Sequence, residues 1–131
     1  MNLILDTHAF IWYIEGSEEL SLIARNHIED PQNQCFASIV SLWEMSIKIS
    51  LGKLEMQGPF HSILEDIGGN GFSILSITFT HTLLNIHLNW FHKDPFDRLL
   101  IAQSMAEKMS LISRDIIFDA YLKKDTVKRI W

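Results

Sequence analysis

The segment Asn2-Leu3-Ile4-Leu5-Asp6 places a short apolar run directly before an acidic residue. Three consecutive apolar residues predict a strand that is buried on both faces, as is typical of parallel sheets. The spacing that follows predicts a helix through about Glu15. A buried strand followed at once by a helix favours an α/β fold.

The rest of the chain continues this alternation. Strands are predicted over 34–37, 72–77 and 111–113, with a last edge strand over 126–130, and helices over 20–29, 38–51, 60–67, 80–88 and 95–108. The helix over 38–51 carries an apolar stripe of Ile39, Trp43, Ile47 and Leu51. Short turn signals separate the elements, and we find no linker or repeat. We therefore predict one domain over 1–131, an α/β sandwich around a mainly parallel sheet.

Composition describes a globular protein of a reducing compartment. The 131 residues are 47% hydrophobic and 21% charged, and the single cysteine, Cys35, cannot form a disulfide within the chain. The N-terminal segment lacks the features of a signal peptide, and no apolar run reaches membrane-spanning length. We expect a cytoplasmic protein without a membrane partner. The net charge of −5 excludes a strongly basic nucleic-acid coat protein but is compatible with local binding through metal.

Four acidic residues follow predicted strands or begin predicted helices. Asp6 ends the first strand, and Asp115 follows the strand over 111–113. Glu44 lies in the first turns of the helix over 38–51, and Asp97 lies in the first turn of the helix over 95–108. Strand carboxyl ends and the following helix N-termini share one edge of an open α/β sheet, where ligand sites occur. We therefore expect these four residues to meet at that edge.

Carboxylates gathered at a buried edge require a compensating positive charge. Oxygen ligands without a nearby histidine or cysteine motif favour Mg²⁺ or Mn²⁺ over Zn²⁺. A metal held in this way can activate water for attack on a phosphodiester. The predicted metal and catalytic residues are Asp6, Glu44, Asp97 and Asp115.

The same acids also have an interpretation as helix caps. Asp6 and Asp115 precede predicted helices, and Asp94 before a proline is a typical N-cap that places Asp97 at the N3 position. Asp94 is thus either a cap or an additional ligand. Only Asp6 favours a functional role by itself, because it directly follows a buried strand where an unpaired charge is costly.

Glu44 has a further structural interpretation of its own. Ser41 and Glu44 have the spacing of a capping box, which would place Glu44 at a helix start. Glu44 and Lys48 have the spacing of a favourable ion pair on one helix face. Neither pattern requires a catalytic role.

Four blocks of the sequence resemble those of PIN-domain proteins. They run over 2–12, 37–48, 92–103 and 111–115, and they contain Asp6-Thr7, Glu44, Asp94-Pro95-Phe96-Asp97 and Asp115 respectively. An apolar run before Asp-Thr is weak evidence when taken alone. Four blocks in the right order over 2–121 are much more specific, and the third block is the most specific of them.

The resemblance implies a PIN-like three-layer α/β/α sandwich with a central mainly parallel sheet, and Mg²⁺- or Mn²⁺-dependent cleavage of RNA. Asp6, Glu44 and Asp97 would hold the metal and position water, with Asp115 as the fourth acid. Thr7 and Ser113 would assist beside the metal. Small prokaryotic members are commonly VapC-type toxins, which form homodimers and are inhibited by a protein antitoxin. RNA, an antitoxin and a second copy of the chain are the expected partners.

Two other functions are compatible with parts of the pattern. A non-catalytic interaction module would use the acids only as caps and would bind no metal. A phosphatase with Asp6 as its nucleophile usually has a second acid two residues later, and His8 occupies that position. The histidines form no zinc motif, although His8 could face the site. Trp90 and Phe91, in the loop before Asp94, fit a core role better than stacking on a base.

Overall fold

Strands and helices alternate along residues 1–123 and 127–131, which the computed structural model describes. The strands are β1 (Asn2–Leu5), β2 (Gln34–Ser38), β3 (Ser73–Leu75), β4 (Ser110–Ile112) and β5 (Arg129–Ile130). The helices are α1 (Thr7–Ile14), α2 (Leu22–Glu29), α3 (Ile39–Ser50), α4 (Ile63–Gly69), α5 (Phe79–His87) and α6 (Pro95–Glu107). Short 3₁₀ helices cover Phe60–Ser62 and Ile116–Ala120. The predicted α/β class is confirmed.

The described strands form one parallel sheet in the order β3-β2-β1-β4-β5. Leu3 of β1 lies opposite Cys35 of β2 on one side and Ser110 of β4 on the other. The chain moves outward from β1 to β3 and then crosses to the opposite side of β1. The direction of winding therefore changes between β1 and β4, and a ligand crevice is expected at the carboxyl ends of these two strands.

The sheet separates two buried clusters and thereby forms the middle of three layers. Leu3 and Leu5 of β1 pack into a cluster with residues of α1, α2 and α4, whereas Ile4 packs into a second cluster with residues of α6. Successive residues of a strand point to opposite faces of the sheet. Because both faces are covered by a cluster, the side chains of Leu3, Ile4 and Leu5 are all fully buried. The predicted three-layer α/β/α sandwich is confirmed.

Helix α3 buries a different face from the apolar stripe seen in the sequence. Trp43 is 53% exposed and Leu51 is 61% exposed, and Ile39 is exposed as well. The stripe is therefore largely a surface feature. The buried face of α3 instead carries Val40, Ser41, Leu42, Glu44 and Met45.

The C-terminal strand is shorter than predicted. Of the range 126–130, only Arg129–Ile130 form β5, at the edge of the sheet beside β4, and position 126 lies outside the described residues. Cys35 packs in the core, as expected of a structural cysteine. Among the helices of the described ranges, none has both the length and the apolar character required to cross a membrane. The single-domain extent and the cytoplasmic location stay predictions.

Candidate active site

Asp6 stands directly after β1, in the crevice beside β4. Its backbone N–H donates a hydrogen bond to the Ile112 carbonyl at 3.0 Å, and its Oδ1 accepts one from the Ala9 N–H at 2.8 Å. Asp6 therefore caps α1 while remaining almost completely buried. Burial raises the pKa of the Asp6 carboxyl above its usual range, and hydrogen bonds from Ser113 and Ala9 offset part of that effect.

Glu44 points from the interior of α3 toward the same crevice. The Thr7 hydroxyl donates a hydrogen bond to Glu44 Oε1 at 2.6 Å, and Lys48 Nζ lies 2.5 Å from Glu44 Oε2. The ion pair with Lys48 is thus confirmed. The capping box at Ser41 is wrong, because Ser38 caps α3 by accepting a hydrogen bond from the Val40 N–H. Glu44 is buried well inside the helix, where no capping role explains it.

Asp97 lies in the first turn of α6 and contacts a histidine from the preceding loop. Asp94 caps the helix by accepting a hydrogen bond from the Asp97 N–H at 2.9 Å. His92 Nε2 lies 2.7 Å from Asp97 Oδ2. Burial raises the pKa of Asp97 to about 6, although the hydrogen bond with His92 opposes this shift and the charge of Asp94 adds to it.

Asp115 is the most exposed of the four predicted acids. Its Oδ1 accepts a hydrogen bond from the Ile117 N–H at 3.0 Å and so caps the short 3₁₀ helix that follows β4. Its own N–H donates to the Ser113 hydroxyl at 3.0 Å. Ser113 therefore links Asp115 with Asp6 at the ends of the two central strands.

The four predicted acids line one cavity, which we call the carboxylate cavity. It has a volume of about 160 Å³, and its lining consists of Asp6, Thr7, His8, Glu44, Lys48, Asp94, Asp97, Asp115 and Phe118. Five acids thus face one lysine. The structure brings the predicted residues together at the expected edge of the sheet, and His8 also lines this cavity.

The carboxylates are not arranged as a closed metal cage. Within residues 1–123 and 127–131, no group of three acidic, histidine or cysteine side chains is placed to hold one ion. Two of the acids have other partners, since Glu44 contacts Thr7 and Lys48, and Asp97 contacts His92. The assignment of these residues as metal ligands stays a prediction.

The donor set nevertheless fits a hard divalent cation. Burial raises the pKa of both Asp6 and Asp97, because the cavity supplies too little positive charge to offset the loss of solvent around them. Mg²⁺ requires few direct carboxylate ligands, since it usually keeps several waters. The oxygen ligands that line the cavity are of the type that such an ion prefers.

Two residues that support the site, His92 and Arg98, are not among the site residues predicted from the sequence. His92 was not singled out, because its contact with Asp97 depends on the path of the loop between α5 and α6. Arg98 is 2% exposed, and its guanidinium donates to the carbonyls of Asn89 and His92 at 2.8 and 3.2 Å. Arg98 thereby fixes the loop that carries His92. In the sequence, only the position of Arg98 directly after Asp97 indicates that it lies near the site.

Two aromatic residues of that loop correct a prediction. Trp90 is 72% exposed and Phe91 is 55% exposed, so the expected core role is wrong for both. The Trp90 ring lies over the Arg98 guanidinium at 3.7 Å, and the Phe91 ring lies 5.3 Å from that of Tyr121. Each ring packs from outside on a side chain that holds the loop, since Arg98 and Tyr121 both donate a hydrogen bond to the Asn89 carbonyl.

A sequence profile of the PIN domain matches residues 3–124, which include all four acids of the carboxylate cavity. The chain belongs to the PIN-domain family. PIN domains are nucleases, and this membership supports a nuclease role. No curated protein sequence matches this PIN domain at a significant level.

Solved structures share the PIN fold over nearly the whole chain. The structure of VapBC2 from Rickettsia felis bound to a DNA fragment from their promoter is similar with a TM-score of 0.71 and 17% identity, covering 100% of both chains. The structure of VapBC-1 from nontypeable Haemophilus influenzae is similar with a TM-score of 0.66 and 14% identity, and the match covers 98% of this chain and 96% of that chain. The structure of the PIN domain endonuclease Utp24 is similar with a TM-score of 0.54 and 14% identity, and the match covers 98% of this chain and 90% of that chain. At these identities the similarity establishes the fold.

Proposed function

We propose that this PIN domain is a Mg²⁺- or Mn²⁺-dependent endoribonuclease and the toxin of a toxin–antitoxin pair. The observation that carries the proposal is the carboxylate cavity, where buried Asp6 and Glu44 and half-buried Asp97 meet at the winding switch of the sheet with Asp115 at the rim. Helix capping accounts for Asp6, Asp94 and Asp115, but it does not explain the burial of Glu44 inside α3.

The neighbouring side chains hold these carboxylates in fixed orientations. Asp6, Glu44, Asp97 and Asp115 would hold the cation, while Thr7 and Lys48 orient Glu44 and His92 orients Asp97. When bound, a divalent cation lowers the pKa of water and neutralises charge on a phosphodiester. Ser113 lies beside Asp6 and Asp115, and its hydroxyl accepts a hydrogen bond from the Asp115 N–H.

The nuclease proposal is tested by incubating purified protein with single-stranded and structured RNA in Mg²⁺, Mn²⁺ or EDTA. The wild type should cleave only with metal, and Asp6→Asn should lower the rate about 100-fold or more, as expected when one group that stabilises charge at a reacting centre is lost. Asparagine caps helices as well as aspartate does, so the variant should fold. Asp30→Asn is the matched control, because Asp30 only accepts a local bond from the Gln32 N–H. Equal cleavage by all three proteins would contradict the proposal.

A protein antitoxin is the proposed inhibitor. Three of the similar solved structures are described as VapBC proteins or as a toxin–antitoxin complex, which supports this assignment. Expression of the wild type in bacteria should stop growth, and expression of Asp6→Asn should not. Co-expression of the product of an adjacent small reading frame should restore growth. Growth arrest that persists in Asp6→Asn would contradict a toxin that acts through RNA cleavage.

A homodimer is the proposed assembly, with α3 and α5 at the interface. The apolar stripe of α3 is exposed at Trp43, and α5 exposes Phe79 and Ile86 by 80% and 71%. A groove lined by Trp43, Trp90 and Leu99 lies between the two helices, with Thr82 and Asn85 of α5 on its other side. Light scattering should give twice the chain mass for the wild type and the single mass for Phe79→Ser. A monomeric wild type, or a dimeric Phe79→Ser, would contradict this assembly.

A further inference from the structure

A second cavity adjoins the carboxylate cavity and shares three of its residues. It has a volume of about 410 Å³ and is lined by Asp6, His8, Trp12, Arg114, Asp115 and Ile116. Small-molecule sites have volumes of roughly 300–1,000 Å³, so this cavity can accommodate a ligand of nucleotide size. Because Asp6, His8 and Asp115 line both cavities, a ligand that extends from one enters the other.

Arg114 brings positive charge to an otherwise acidic wall of this second cavity. Its guanidinium carbon lies 4.6 Å from the centre of the Trp12 ring, and its Nη1 lies 2.9 Å from Glu19 Oε2. The side chains of Arg114 and Glu19 are 57% and 61% exposed, and exposed ion pairs contribute little to stability. A phosphate, which arginine binds through two parallel hydrogen bonds, can therefore replace Glu19.

Two rings of α1 form the wall beside Arg114. His8 and Trp12 are four residues apart, and their ring centres lie 5.6 Å apart at an angle of 45°. Trp131 packs against Trp12 at 5.9 Å, which holds the indole in place, whereas His8 is exposed. Aromatic rings and guanidinium planes are the surfaces on which unpaired bases stack, with little preference among bases.

We propose that the second cavity binds the nucleotide next to the scissile phosphodiester of single-stranded RNA. Arg114 binds the phosphate of that nucleotide, and the wall of His8 and Trp12 faces its base. The inference rests on the proposed ribonuclease function, because it takes the scissile bond to lie beside Asp6. Without Arg114, Asp6 and Asp115 would repel a phosphate at this position. A paired duplex would not present a free base face to the wall, so the cavity favours single strands.

The test compares wild type, Arg114→Gln and Arg25→Gln in binding to a fluorescently labelled single-stranded RNA, followed by anisotropy over a range of KCl. Arg25 is the matched control, because it also lies over an aromatic ring, Tyr13 at 5.9 Å, and pairs with a glutamate, but it lies outside both cavities. Titrations are made in EDTA and again in Ca²⁺, so that cleavage is not needed for the readout.

Arg114→Gln should weaken RNA binding about 10-fold at low salt and reduce the slope of log Kd against log salt by about 0.7, the change for one phosphate on a single strand. His8→Ala should weaken binding roughly 5-fold or more with an unchanged salt slope, as expected for stacking. Arg25→Gln should bind like the wild type.

Equal losses from Arg114→Gln and Arg25→Gln would overturn the proposal, because they would indicate a general charge effect. Wild-type binding by Arg114→Gln, or absence of RNA binding by the wild type in both conditions, would also overturn it. Failure of the nuclease proposal can be distinguished from failure of this inference. It would appear as RNA that binds through Arg114 but stays intact with Mn²⁺.

Discussion

Replacing Asp97 by asparagine should make the metal-free protein more stable at neutral pH. The pKa of the Asp97 carboxyl is about 6 in the folded protein, against 3.8 for an unperturbed aspartate. The folded state therefore binds this proton more tightly than the unfolded state does. Stability is highest below pH 3.8, falls as the pH rises from 3.8 to about 6, and is constant above that range as far as this group is concerned.

The size of this effect follows from the difference between the two pKa values. A difference of about two pKa units corresponds to about 3 kcal/mol of lost stability at pH 7, since each unit is worth about 1.4 kcal/mol. Asparagine removes this penalty but also removes a charge that favours the helix N-terminus by about 0.3–1 kcal/mol. The asparagine oxygen can still accept a hydrogen bond from His92. The free energy of unfolding of Asp97→Asn should therefore exceed that of the wild type by about 2 kcal/mol at pH 7, and the two should be nearly equal at pH 4.

The assay is urea unfolding in EDTA, followed by tryptophan fluorescence between pH 4 and pH 8. Asp30→Asn is the control, because Asp30 lies outside the carboxylate cavity and asparagine can still accept the local hydrogen bond from the Gln32 N–H. Its free energy of unfolding should stay within about 0.5 kcal/mol of the wild type. An Asp97→Asn variant that is less stable than the wild type at pH 7, or a difference in stability that does not change with pH, would contradict this prediction and indicate a purely structural role for Asp97.

Three further predictions concern the support of the fold and the site. Ser38→Ala should lower the free energy of unfolding by about 2–3 kcal/mol in urea, since Ser38 caps α3 and donates to buried Gln103 Oε1 at 2.5 Å. Arg98→Lys should lower the free energy of unfolding by about 3 kcal/mol in the same assay, because lysine cannot reproduce the guanidinium contacts that fix the loop at Asn89. The same variant should also slow RNA cleavage. Cys35, whose pKa burial raises to about 11, should react with a thiol reagent at pH 8 only after unfolding, and rapid reaction of the native protein would contradict its packing.

The parts of the fold that the sequence predicts are those with local signals. The apolar run before Asp6 identifies the central strand, because a strand that is buried on both faces requires apolar residues at consecutive positions. The Asp94-Pro95 pair identifies the start of α6 for an equally local reason. The four acids line one cavity because strand ends and helix starts share an edge in parallel sheets, and this proximity follows from the order of the elements along the chain.

The parts that were wrong or unassigned depend on packing between distant segments. In α3, periodicity identifies an apolar stripe through Trp43, but it cannot tell whether that stripe faces the core or the surface. The actual core face includes Glu44, whose burial is possible because Thr7 and Lys48 provide partners. The exposure of Trp90 likewise depends on Arg98 below it, a contact that the loop path creates.

We propose that the acids of the carboxylate cavity form a metal site and are not only helix caps. Calorimetric titration of Mn²⁺ into wild type, Asp6→Asn, Asp97→Asn and Asp30→Asn tests it most directly. We expect the wild type and Asp30→Asn to bind Mn²⁺ alike, and the two cavity variants to bind it at least about 10-fold more weakly, although each remains folded and capped. Absence of Mn²⁺ binding in the wild type, or equal binding by all four proteins, would contradict the claim.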